Sequence, residues 1–228
     1  MRVEQLRFCL GVLGACALGA LALSRDGGGE EPYVPGLPST GFLTIELIEN
    51  PDVTFHFPTD PEFDVVEYQY GHYSGTPLLR VTGDGTVQAL EGPTSIHSGN
   101  HAASISSDQL NRVVSYLLSS GLTGFEADAV RVRLDKARNK ESERTGDVHI
   151  SSDVGVHMIR LHLEEVRFSP EEEPIRGYDK RWVWREPGLS LERAVELYPE
   201  IEELQVYLDA VALLRDLHGA AVQLSVSH

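Results

Sequence analysis

The chain has 228 residues, in the range of one large domain or two small ones, and is long enough to bury a core without a metal or disulfide staple. Its 35 acidic residues outnumber its 19 basic ones, and the net charge of -16 repels phosphate backbones and anionic lipid headgroups, which argues against nucleic acid as a partner. Both cysteines, Cys9 and Cys16, lie in an apolar N-terminal segment, so the rest of the chain has no disulfide framework, zinc ribbon or cysteine nucleophile.

Residues 1–7 carry Arg2 and Arg7, and Phe8 to Leu23 form an uncharged run of 16 residues before Arg25 and Asp26 begin a polar stretch. A charged start, a short apolar middle and small residues at its end are the pattern of a secretory signal. Ala20-Leu21-Ala22 and Ala22-Leu23-Ser24 both suit cleavage. The run falls short of the roughly 20 residues of a spanning helix, and an uncleaved anchor over residues 1–24 is the alternative. Leu13-Gly14-Ala15-Cys16 also resembles a bacterial lipobox, which would make Cys16 a lipidated N-terminus, although the residues after it stay apolar. Residues 25–41, rich in glycine, proline and acid, read as a flexible tether.

A globular domain is expected over residues 42–219. Leu43, Ile45 and Leu47 alternate with polar neighbours as in a half-buried strand, and Val66, Tyr68 and Tyr70 repeat the pattern. Asn50 to Asp64, with Pro51, Pro58 and Pro61, reads as a loop. Leu79 and Val81 lead through Thr82-Gly83-Asp84-Gly85-Thr86 into Val87 and Ala89, a hairpin signal because the tight turn needs positive φ.

Ser106 to Gly121 predicts a helix. Ser106 and Gln109 have capping-box spacing, Leu110, Val113, Val114, Leu117 and Leu118 form one apolar stripe, and Gly121 stands at the C-terminal cap. Glu126 to Asp147 is charged and poorly periodic, and reads as a solvated excursion with a helical turn or two. Val148 to Ser151 and Val156 to Leu163 suggest a second hairpin, its second arm carrying His157, Ile159, Leu161 and Leu163 on one face and Met158, Arg160, His162 and Glu164 on the other. Ser169 to Pro187 reads as a polar loop. Ser190 can cap a helix at Leu191, Pro199 interrupts it, and apolar residues from Ile201 to Leu214 continue at helical spacing to a stop at Gly219, before a tail over residues 220–228. The expected fold class is therefore α+β: an antiparallel sheet built from hairpins, with two main helices packed on one face, preceded by the N-terminal hydrophobic segment.

The run from Tyr73 to Val87 (YSGTPLLRVTGDGTV), closing at Glu91-Gly92, resembles a small exported bacterial domain of unknown function. That family opens with a Gly-x-Cys-Pro motif on a strand and continues into a Gly-Asp-Gly hairpin. A capped helix follows, ending in a glycine-phenylalanine segment, here Gly121 to Phe125. The resemblance spans Phe42 to His218 and implies the fold and export. Thr76 stands where the family carries cysteine, so no redox or disulfide feature is carried over.

Candidate chemistry is sparse. His97 and His101 (HSGNH) are four apart and could share a divalent metal such as zinc, but Ser98-Gly99-Asn100 is turn chemistry, which puts both on a loop. A third ligand would come from His72, His149 or His157. His157 on an apolar strand face reads first as a core histidine with a hydrogen-bond partner, and His162 as facing solvent. Arg181-Trp182-Val183-Trp184-Arg185, if extended, puts two indoles on one side, either a platform for a glycan or protein or a filler of the core. Asp60, Glu62 and Asp64, and Glu171 to Glu173, lack calcium-loop spacing and read as solvated charge. No nucleophile elbow, phosphate loop or dinucleotide fingerprint occurs.

Two functions are left standing. One is a non-enzymatic binding or structural module of the cell envelope, secreted or tethered only by its N-terminal segment, without a cofactor and with a protein or glycan partner met by Trp182, Trp184, Arg181 and Arg185. The other is a metal-dependent hydrolase using His97, His101 and a third ligand.

Overall fold

The computed structural model describes residues 52–60, 62–71, 76–90, 100–146, 155–185 and 189–226. The N-terminal apolar segment with Cys16, the tether, the strand expected around Ile45, and His72, His97 and His149 lie outside them.

The chain folds as α+β, with a seven-stranded antiparallel sheet and four helices. In chain order come β1 (Thr54–His56), β2 (Asp64–Gly71), β3 (Leu79–Thr82), β4 (Thr86–Leu90), β5 (Asn100–Ser104), α1 (Ser107–Ser119), α2 (Ala127–Thr145), β6 (Val156–Arg167), β7 (Ile175–Trp184), α3 (Leu191–Leu197) and α4 (Glu202–Val226). The sheet runs β6-β2-β3-β4-β5, with β1 extending along β6 beyond β2 and β7 on the opposite edge of β6.

Side chains opposite one another in an antiparallel pair share a face. The register therefore sets Val66 and Tyr68 beside Leu161 and Ile159, Leu79 and Val81 beside Ala89 and Val87, and Trp182 beside Ile159. All of these are buried, in one core with Leu204, Tyr207, Val211, Leu214 and Leu217 of α4 and the apolar stripe of α1. The helix α4 is pinned to the sheet at three places. The Tyr207 hydroxyl lies 2.9 Å from the His157 carbonyl oxygen and 3.1 Å from that of Trp182, Arg215 Nε donates to the Tyr68 hydroxyl at 3.3 Å, and His218 Nε2 lies 2.7 Å from the Leu90 carbonyl oxygen.

The β3–β4 hairpin forms with a different turn from the one expected. Among the described residues positive φ occurs only at glycines, and in this turn only Gly85 has it, at +86°. Gly83-Asp84-Gly85 is thus a three-residue loop, a turn closed by Gly85 N–H donating to the Thr82 carbonyl at 3.0 Å, with Gly85 left-handed. Thr82 Oγ1 and Thr86 N–H both donate to Asp84 Oδ1, at 2.6 and 2.9 Å. Partial burial pushes the Asp84 carboxyl up, but these bonds outweigh it and hold it below its ordinary value.

The capping box of α1 is present. Gln109 N–H donates to Ser106 Oγ at 3.2 Å, and Ser106 N–H donates to Gln109 Oε1 at 2.8 Å. Gly121 just past the helix is left-handed, as expected.

Four expectations are corrected. The loop from Asn50 to Asp64 contains β1, whose three residues pair with Glu165 to Arg167. The charged stretch after Glu126 is the 19-residue helix α2, which buries only Val130 and Leu134. Ion pairs Asp128–Arg131 and Glu141–Arg144 along its surface, and a pair from Arg133 to Glu203 of α4, support a helix with almost no apolar stripe. The polar loop from Ser169 to Pro187 is largely β7, whose antiparallel bonds to β6 outweigh its charge. Helix α4 runs through Gly219 to Val226, because Ala221, one turn away from Leu217, is still buried in the core.

A Cβ on Gly85 would sit 2.3 Å from the Ile105 carbonyl oxygen, in a backbone conformation that already disfavours side chains. Gly85→Ala is expected to cost roughly 2 kcal/mol or more in chemical denaturation, and an unchanged midpoint would remove this account of the turn. Ser106→Ala, which removes one half of the capping box, is expected to cost about 1 kcal/mol in the same measurement.

Candidate functional site

Among the described residues, no helix covers the opposite face of the sheet. Across it, the register aligns Ala102, Gln88, Arg80, Glu67, Arg160 and Arg181 in one row from β5 to β7. Arg160 is the hub. Its Nε and Nη2 each donate to Asp179 at 2.8 Å, and its Nη1 donates to Glu67 at 3.1 Å. These bonds hold the guanidinium firmly protonated and keep the Asp179 carboxyl below its ordinary value.

Next to this hub, residues 56–60 lead out of β1 and wall a cleft of about 890 Å³ with His162, Glu164 and Glu165 of β6 and Arg176 and Gly177 of β7. Its polar groups lie close to one another. Thr59 Oγ1 donates to Glu164 at 3.2 Å, Glu165 stands 3.5 Å from Arg176 and 3.9 Å from His56, and the His162 ring packs 4.4 Å from Phe63. With three carboxylates against one guanidinium, counting Asp60, the wall is acidic when its histidines are neutral.

A second cavity, of about 500 Å³, lies at the other end of the sheet. Thr76 and Pro77 enter β3 there, Leu90 leaves β4, Asn100 and His101 begin β5, and Arg80 and Gln88 complete the wall. This brings together two features singled out in the sequence, the Thr-Pro of the family-like motif and His101.

A buried polar chain occupies the helix side. Arg215 Nε donates to the Tyr68 hydroxyl, which is also hydrogen-bonded to His157 Nδ1 at 3.0 Å. Arg215 also donates to Glu192 at 2.9 Å and lies over the Tyr70 ring at 5.3 Å, while the Tyr70 ring packs 4.7 Å from that of His157. Burial, reinforced by the Arg215 charge and opposed by Glu192, depresses the His157 imidazole to about 4. Burial also raises the Tyr68 phenol, against the pull of Arg215.

The residues expected to act are placed as follows. Trp182 and Trp184 are 1% and 4% exposed, so of the two readings the core filler holds and the indole platform does not: their alternation along β7 points both rings into the core beneath the helices. Neither indole N–H has a partner among the described residues. Arg181 and Arg185 face outward and stand apart from the rings. His101 is half-buried on β5 opposite Ala89, not on a loop, because pairing with β4 overrides the turn-forming residues before it. Among the described residues no group of three or more histidines, cysteines and carboxylates gathers as metal ligands. His157 is the core histidine expected. His162 is half-buried against Phe63 with its Nδ1 shielded from solvent, not solvent-facing. The cleft beside it has no signature in the sequence, since the residues after β1 lie more than 100 positions from those of β6 and β7 that complete its wall, and the local hint was the proline-spaced acid run around Asp60.

Among the described residues no helix is long and apolar enough to cross a membrane. No protein-family model, no curated protein and no solved structure matches the chain.

The depressed imidazole carries a pH signature. The unfolded chain takes up this proton first, so the stability due to a neutral His157 is complete above about pH 6.5 and drains as pH falls toward about 4. The loss amounts to about 3 kcal/mol. Unfolding free energies of the full chain at pH 7, 5.5 and 4 are expected to fall by that much more than those of His157→Gln, and parallel curves would refute the assignment.

Proposed function

We propose that this chain is an exported or membrane-tethered, non-enzymatic binding or structural module of the cell envelope, and that it meets its partner on the sheet face opposite the helices. One observation carries the reading: the cleft of about 890 Å³ gathers Asp60, Glu164, Glu165, Arg176 and two histidines on one wall. Such a lining presents hydrogen-bonding edges to a protein or glycan. The strongly shifted histidine and its tyrosine lie on the other side of the sheet, spent on a structural hydrogen bond. The net charge of -16 favours partners other than nucleic acid. The resemblance to an exported bacterial domain, resting on the motif from Tyr73 to Val87 and the segment from Gly121 to Phe125, points to the same compartment.

The test is photo-crosslinking of the full chain in intact cells. A photoreactive residue is placed at His56, on the rim of the cleft, or at Asp128, on the outer surface of α2. A discrete adduct from position 56 and none from 128 is the expected result. Equal labelling from both positions, or none from either, would overturn the proposed surface.

A further inference from the structure

We propose that the cavity of about 500 Å³ at the β3–β4–β5 end is a second binding site, specific for a carboxylate group held by Arg80. It is separate from the acidic cleft and does not depend on what that cleft binds.

The first argument is the composition of the wall. In a chain with 35 acidic and 19 basic residues, the described residues that line this cavity include a guanidinium, two amides and a hydroxyl, and no carboxylate. Gln88, Asn100 and Thr76 each offer a donor, and their companions Ala89, Leu90 and Ala102 give the apolar remainder. Small-ligand sites of a few hundred Å³ with a few convergent polar groups have this character.

The second argument is the state of Arg80. Its neighbour across β2, Glu67, is turned to Arg160, to which it is hydrogen-bonded at 3.1 Å. Its ion-pair partner Asp64 stands 3.8 Å from Nη1, beyond hydrogen-bonding reach. Its Nε is shielded from solvent and meets no acceptor among the described residues. Arg160, two strands further along the same row, shows the contrast, with all three of its donor nitrogens engaged by carboxylates. Arg80 is thus a positive charge whose Nε meets no acceptor among the described residues, at the wall of a cavity with no acid among its described lining. A guanidinium in that condition turns to meet a carboxylate and grips it through two nitrogens, which an ammonium cannot do.

The carboxylate can come from a small organic acid or from the C-terminus of a peptide, and the two are distinguished directly. Purified full-length protein in carboxylate-free buffer is titrated by calorimetry with succinate, with the tripeptide Ala-Ala-Ala, and with its C-terminal amide. Binding of succinate alone assigns the site to small acids. Binding of the free tripeptide but not its amide assigns it to peptide termini. Two variants tie either result to this cavity. Arg80→Lys keeps the charge and loses the fork, and is expected to weaken binding ten-fold or more. Gln88→Glu leaves Arg80 in place and offers its fork an internal carboxylate, and is expected to abolish binding without lowering the melting temperature. Absence of binding by both free acids at millimolar concentration would overturn the proposal, as would equal binding of the amide or unchanged affinity in Gln88→Glu.

Discussion

Everything in this fold is hung on β6. Its 12 residues from Val156 to Arg167 pair with β2 and β1 along one edge and with β7 along the other, so four of the seven strands meet there. The contacts are distant in sequence: Val66 pairs with Leu161, and Thr54 with Arg167. Closing such loops costs chain entropy before any of the core forms, and the return is the burial of Ile159, Leu161 and Leu163 against α4. A central strand with helices on one side and charge on the other must alternate strictly, and Ile159 to Leu163 do so.

The two faces of β6 then divide the labour. Toward the helices, its carbonyl at His157 meets Tyr207, and its His157 ring meets Tyr68, so α4 and β2 are joined through one residue. A neutral imidazole suits that place, because an uncompensated buried charge would cost more than the hydrogen bond returns. Toward the open side, Arg160 binds Glu67 of β2 and Asp179 of β7, joining three strands by charge where no apolar layer does so. The cleft beside this hub and the cavity at Arg80 differ in sign, since acid outnumbers base in the first and no acid occurs among the described residues lining the second. One sheet face thereby presents two chemically distinct surfaces a few strands apart.

The elements readable from sequence were those whose cause is local. The capping box of α1 needs only Ser106 and Gln109, the β3–β4 turn needs only Gly85 in the right place, and the alternation of β6 is carried by its own residues. The elements missed were those stabilised from elsewhere. Strand β7 has a charged, mostly exposed first half and is a strand because β6 offers it an edge. Helix α2 lacks an apolar stripe and is held by Val130, Leu134 and ion pairs. Helix α4 passes Gly219 because its next turn still has a core to reach.

The same division holds for the sites. Composition alone determined an acidic chain, with cysteine confined to its first residues, and patterning determined an α+β sheet with helices on one side. Whether Trp182 and Trp184 meet solvent, which group His157 bonds, and which residues share a cavity with Arg80 were decided only by the tertiary structure. Alternation along a strand tells which side chains lie together, but the side that becomes the core is chosen by the helices that cover it, and those come from positions far along the chain.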